Sequence, residues 1–198
     1  MAKIRSALEI ALERTEAVAA DRGSVGMYEA RKAGTRIANA FVENPSAGLE
    51  GEIAGLPEEA RRGARKGAFD ALVSRLSLPA GEGDLPRIEA AARGIGELAG
   101  DARLSALLAQ LGALLGRYLG EAAQTEQALA RQYGPRLRRK EEEISRRLGQ
   151  EVRLDPLQDP EFAMALEQSL SALRDGYRAP VDQVREEAVR VWGEREGE

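Results

Sequence analysis

The sequence predicts an all-α fold, a helical bundle of hairpins with a long central helix over about 101–133 and a long C-terminal helix over about 160–192. Three observations carry that prediction. Apolar residues recur every three or four positions through most of the chain, the spacing of one helix face. The composition is rich in Ala, Leu, Glu and Arg with only 4% aromatic residues, which argues against the β-branched and aromatic surfaces of sandwiches. Gly-Pro, Asn-Pro and Asp-Pro pairs then punctuate the periodic segments into helical lengths.

Taken in order, the first helix is expected from about Lys3 to Ala20, with Ile4, Leu8, Ala11, Leu12, Thr15 and Ala19 as its apolar stripe. Asp21-Arg22-Gly23-Ser24 reads as a stop and a new cap. A second helix then runs from Val25 to Glu43, ended by Asn44-Pro45. Leu49, Ile53 and Leu56 mark a helical turn or two. Pro57, followed by Glu58 and Glu59, opens a third helix, with Ala60, Ala64, Ala68, Phe69, Leu72, Val73 and Leu76 inward.

The segment 78–85, LPAGEGDL, is the clearest linker. It divides a smaller helical lobe (1–79) from a long-helix bundle (86–198), two parts that either stand apart or pack as one domain. Pro86 starts a fourth helix with Ile88, Ala92, Ile95 and Leu98 inward, and Gly100-Asp101 re-caps the chain into the central helix. That helix places Leu104, Leu107, Leu108, Leu111, Leu114, Leu115, Tyr118, Leu119 and Ala122 on one arc. Ser105, Ala109, Gly112, Ala113, Gly116 and Gly120 fill the next arc, so neighbours are expected on more than one side. Gly134-Pro135 predicts a stop, with a new or kinked segment to Leu148. Val152-Arg153-Leu154 suits a short extended piece. Asp159-Pro160 is a helix opener, and the last helix steps through Leu166, Leu170, Leu173, Tyr177, Val181, Val184, Ala188 and Val191 in a nearly heptad seam, bent at Pro180.

Composition narrows the chemistry. The 198 residues contain no cysteine and no histidine. Disulfides, thiolate sites, the usual general base and the commonest metal ligand are therefore all missing. Net charge is −4, and acidic and basic residues are mixed throughout both halves, so no segment reads as a basic domain. No run is long and apolar enough to span a bilayer, and the N-terminus lacks the apolar core of a signal peptide. A cytoplasmic location is the expectation.

Possible sites are few. Glu9, Glu13 and Glu16 share a helix face, but di-metal bundles pair such glutamates with histidine. Gly94-Ile95-Gly96-Glu97-Leu98-Ala99-Gly100 lacks the preceding strand and the spacing of a dinucleotide loop, and Gly81-Glu82-Gly83-Asp84 lacks the Gly-Lys-Ser/Thr of a phosphate loop. The basic clusters Arg61, Arg62, Arg65, Lys66 and Arg136, Arg138, Arg139, Lys140, Arg146, Arg147 are interrupted by glutamates and carry no stacking aromatics. Gly112, Gly116 and Gly120, at i, i+4 and i+8, form a strip for close helix packing within the chain or for self-association.

KIRSALEIALERTEAV and GMYEARKAGTRIANAFVE resemble the start of small, uncharacterised all-helical bacterial proteins, and DPEFAMALEQSLSALRDGYRAPVDQVREE resembles their C-terminal helix. That resemblance implies no activity. LGQEVRLDPLQDP is similar to the C-terminal region of the delta subunit of bacterial ATP synthase, where the segment leads into a β-strand; here Glu161 onwards reads as helix.

The functional expectation is a non-enzymatic interaction or scaffold protein, without cofactor, that buries heptad-like seams against itself or a protein partner. Leu170, Leu173, Tyr177, Val184 and Val191 are its partner-contact residues if any seam is left open. The alternatives are a stalk-like or nucleic-acid-associated accessory protein, or an enzyme using only Glu and Arg.

Overall fold

The computed structural model describes residues 7–196. Its elements among those residues are six α-helices: α1 (Ala7–Glu43), α2 (Leu49–Ala54), α3 (Glu58–Val73), α4 (Leu85–Ala99), α5 (Ala102–Leu148) and α6 (Pro160–Glu196). Short 3-10 turns lie at Pro45–Ala47, Glu82–Asp84 and Pro156–Gln158. The fold is all-α, with the long helices where periodicity put them.

Two expected interruptions are absent. Helix α1 passes through Asp21-Arg22-Gly23-Ser24 without a break, because a glycine inside a helix costs only about 1 kcal/mol and no proline forbids the turn. Helix α5 passes through Gly134 and Pro135 to Leu148. Proline there removes one backbone bond, and the bonds on either side hold the helix together. The apolar stripe from Ile4 to Ala19 and the acidic face Glu9, Glu13 and Glu16 lie outside the described side chains.

Other boundaries fall as their chemistry dictates. Asn44-Pro45 ends α1 at Glu43, and Gly48 turns the chain with φ 70°, a torsion that suits glycine. Asp101 caps α5 by accepting from the Leu104 N–H at 2.7 Å. Asp159 caps α6 by accepting from the N–H groups of Glu161 and Phe162, each at 3.1 Å.

Helices α1 and α3 lie in close contact and run in the same direction. Gly63 sits by Met27 and Ala30, Gly67 by Arg31, and Arg75 Nη2 donates to Asn39 Oδ1 at 2.8 Å. The approach is backbone on backbone. A Cβ on Gly34 would stand 1.8 Å from the Ala64 carbonyl oxygen, and one on Gly67 would stand 2.0 Å from that of Arg31.

Helix α4 is the element with cover on most sides, meeting α1, α2, α3, α5 and α6. Its Ile88, Ala90, Ala91, Ala92, Ile95, Leu98 and Ala99 are buried, and its alanines let neighbours close in. Side chains before and after the 78–85 segment join one hydrophobic cluster, from Ala38 and Phe41 through Leu72 and Ile95 to Val184 and Trp192. Each large side chain removed from water there contributes about 1.5–3 kcal/mol. Phe69 stacks on Trp192 with ring centroids 4.4 Å apart and planes 12° apart.

Helices α5 and α6 form an antiparallel hairpin, registered by Tyr118 against Tyr177 and Tyr133 against Phe162, at centroid distances of 5.4 and 5.7 Å. Its first part, from Leu104 to Leu115 and from Val181 to Trp192, belongs to the main cluster. The distal part does not. There Leu137, Phe162 and Leu166 form the buried contacts of a two-helix arm.

Candidate functional site

The arm ends in a turn fastened by side chains. Glu141 accepts from the Leu154 N–H at 2.8 Å, Ser145 Oγ from the Val152 N–H at 2.9 Å, and Asp155 from the Leu157 N–H at 3.0 Å. The 152–154 piece is therefore tied to α5 instead of pairing as a strand. Lys140 bonds Asp159 across the hairpin, and Arg136 makes a forked pair with Glu161.

These contacts set the local electrostatics. The Lys140 hydrogen bond, then the Phe162 N–H, hold the Asp159 carboxyl below its ordinary value of 3.8. Arg136 lowers Glu161 in the same way and is itself raised by Glu161. On α6, Arg190 lowers Glu187 and is raised by Glu187 and Glu194. Each shift arises in a paired helix surface, not from carboxylates converging in a cavity. Around the arm's end, Leu148, Leu157 and Met164 are exposed at 60%, 59% and 69%, as Val25, Tyr28 and Val189 are elsewhere on the chain.

The expected partner seam is mostly used inside the chain. Val184 is buried in the main cluster and Val191 packs against it. Tyr177 meets Tyr118. Leu173 is half-buried. Leu170 is half-buried beside a cleft that it lines with Leu78, Pro79, Tyr118, Leu119 and Ala122.

The glycine strip divides. Gly112 is half-buried against Glu89 of α4, whereas a Cβ on Gly116 or Gly120 would have nothing within 4 Å. Neighbours expected on more than one side of α5 do not cover this arc; Ser105, Ala109, Ala113, Gly116 and Gly120 are exposed. Close intramolecular approach occurs instead at Gly34, Gly63 and Gly67. Its signal in the sequence was Ala30-x3-Gly34-x3-Ala38 together with Gly63-Ala64-x2-Gly67-Ala68, the small-x3-small spacing of closely packed helices.

Between α4 and α5 runs an open groove of about 590 Å³ with Ala92, Gly96, Leu108, Ala109 and Gly112 among its lining residues. Glu89, Arg93 and Glu97 stand exposed at its edge. The groove is apolar with charges at the water boundary, open to solvent along its length.

The first basic cluster is largely engaged, and in the second Arg136 and Lys140 are paired while Arg138, Arg139, Arg146 and Arg147 stand exposed. Arg65 donates to the Leu98 carbonyl at 2.9 Å and pairs with Glu50 at 3.0 Å; Arg61 donates to the Leu56 carbonyl; Lys66 pairs with Asp70. Among the described residues no three carboxylates gather in a way that holds a metal, and no helix is long and apolar enough to cross a membrane.

A family model, described as a family of unknown function (DUF6657), matches residues 50–190, from α2 to near the end of α6. No curated protein and no solved structure matches the chain.

Proposed function

We propose that this chain, which belongs to the DUF6657 family, is a non-enzymatic interaction or scaffold protein of the bacterial cytoplasm, presenting helical surfaces to a protein partner or to itself. The observation that carries the reading is surface. Beyond the main cluster α5 and α6 continue as a hairpin with Leu137, Phe162 and Leu166 as buried apolar contacts and most other positions exposed or half-buried. An arm of two helices beyond the main cluster, with Leu148, Leu157 and Met164 exposed near its end, is a shape that serves contact. Catalysis gains little from it.

The side-chain supply agrees. With no histidine or cysteine, acid–base work falls to carboxylates, lysines and tyrosines, and many carboxylates stand in surface ion pairs such as Arg136–Glu161 and Arg190–Glu187. The same pairing draws Arg136 and Arg190 away from phosphate contact.

The test is a photo-cross-linking residue placed at Leu157 or Met164 in the source cell, with Ser77 on the body as the control position. Discrete protein adducts at the arm and none at Ser77 support the reading. An arm that yields no adduct overturns it.

A further inference from the structure

The cleft that Leu170 lines is bounded by three elements and holds a polar group with nothing to bond. Tyr118, Leu119 and Ala122 of α5, Leu170 of α6, and Leu78 and Pro79 of the segment between α3 and α4 enclose about 500 Å³. That size falls within the roughly 300–1,000 Å³ of small-molecule sites, which are mostly apolar with a few placed polar groups. The wall made by the connecting segment is fixed. Pro79 is buried, the Ala80 N–H donates to Asp84 Oδ2 at 2.9 Å, and the Asp84 N–H donates to the Gly81 carbonyl at 3.1 Å. A wall already in place spares a ligand the cost of ordering it.

Tyr118 supplies the polar group. It is only 7% exposed, and its ring rests against that of Tyr177 at 5.4 Å. Its hydroxyl has no hydrogen-bond partner among the described residues. Nor is that oxygen among the atoms sealed from water, so it opens on the cleft that the residue lines. Phenol groups packed this deeply usually find a partner.

Charge selects the ligand. Glu82 and Glu126 also line the cleft, stand exposed and are unpaired among the described residues. Arg174 is the cation of the lining, and Glu167 already pairs with it. The surplus is negative, so a carboxylate or phosphate headgroup meets repulsion where an ammonium is attracted. Tyr118 and Glu126 lie about 12 Å apart along α5, a span that an extended chain of about eight carbons covers. Leu119 and Ala122 give that chain an apolar track between them.

We propose that the cleft between α5, α6 and the 78–82 segment binds a small elongated amine. Its ammonium sits by Glu82 and Glu126, its apolar body runs along Leu119, Ala122 and Leu170, and a hydroxyl at its far end bonds the Tyr118 phenol. The cleft is apart from the arm's end, so arm adducts and this ligand are lost or kept separately.

Isothermal titration of the whole chain with 8-amino-1-octanol, octylamine and 8-hydroxyoctanoate tests the proposal. The amino alcohol should bind one per chain, about tenfold more tightly than the hydroxy acid. Glu82→Gln combined with Glu126→Gln should remove that preference. Tyr118→Phe should weaken the amino alcohol about three- to tenfold and leave octylamine, which has no hydroxyl to lose, unchanged. Ala122→Trp should fill the cleft and abolish binding of all three, with the helical spectrum kept; the Gln pair and Tyr118→Phe carry the test if it misfolds. Absence of binding by the amino alcohol overturns the proposal. So does equal binding of the hydroxy acid, a preference for the amine that the Gln pair leaves intact, an equal loss of both amines in Tyr118→Phe, or binding that survives in folded Ala122→Trp.

Discussion

Trp192, near the end of the last helix, lies face to face with Phe69 of the third, their ring centroids 4.4 Å apart. Both rings are buried, so this aromatic pair joins the C-terminal helix to the N-terminal half alongside Val181, Val184 and Ala188. Trp192→Ala should destabilise the chain by about 3–5 kcal/mol, the usual loss for a large aromatic removed from a core. Because the indole N–H has no hydrogen-bond partner, Trp192→Phe should cost distinctly less. Urea titration followed by circular dichroism checks both. As the single tryptophan of the chain, Trp192 also gives native protein a blue-shifted emission that moves red on unfolding.

Glycines of the two kinds should respond oppositely to alanine. Gly34→Ala and Gly67→Ala drive a Cβ into the backbone of the facing helix, and the helices must separate, at about 1–3 kcal/mol or more. Gly120→Ala meets nothing within 4 Å and should stabilise the monomer by up to about 1 kcal/mol through helix propensity. Thermal melts of the three variants, compared at one concentration, decide it.

Pro135 interrupts the bond pattern of α5 in the arm, on an exposed face. Pro135→Ala restores one backbone N–H and should strengthen this part of the helix by up to about 3 kcal/mol. Slower hydrogen exchange across residues 131–139 is the expected reading. Unchanged exchange would mean that the arm's packing already compensates for the lost bond.

The arm's turn should be acid-sensitive in a narrow way. Asp159 and Glu161 titrate below their ordinary values because Lys140 and Arg136 bond their ionised forms. Lowered folded-state values mean that both contributions are complete above the ordinary carboxylate range and are lost as pH falls through the folded values. Exchange protection of residues 152–162 should thus hold from neutral pH down to about 4 and decline below it. Asp159→Asn should weaken that protection at neutral pH and flatten its acid dependence.

Much of this architecture was legible because it depends on local chemistry. Asp101 and Asp159 announce helix starts, Gly100 and Gly149 take the left-handed torsions that end helices, and the stripe from Leu166 to Val191 marks the packed side of α6, though it does not single out Trp192 beside it. The unbroken passage of α1 through Gly23 and of α5 through Pro135 was not legible, since breaker residues shift an equilibrium that neighbouring helical turns can win back. The partner of each apolar face was also hidden. Periodicity shows which side of a helix is greasy but not which helix covers it, so Leu170 and Val184 look alike in sequence while only Val184 joins the main cluster. The tight crossing at Gly34 and Gly67 was visible only as small residues at four-residue spacing, a pattern that Gly116 and Gly120 share without a neighbour.

The hairpin also sets a length. From Tyr118 to Leu148, α5 advances about 45 Å at 1.5 Å per residue, and α6 returns beside it with aromatic rungs and ion pairs along the way. The far turn is held at a fixed reach from the body, and inserting or deleting whole heptads in both helices would lengthen or shorten that reach without disturbing either end.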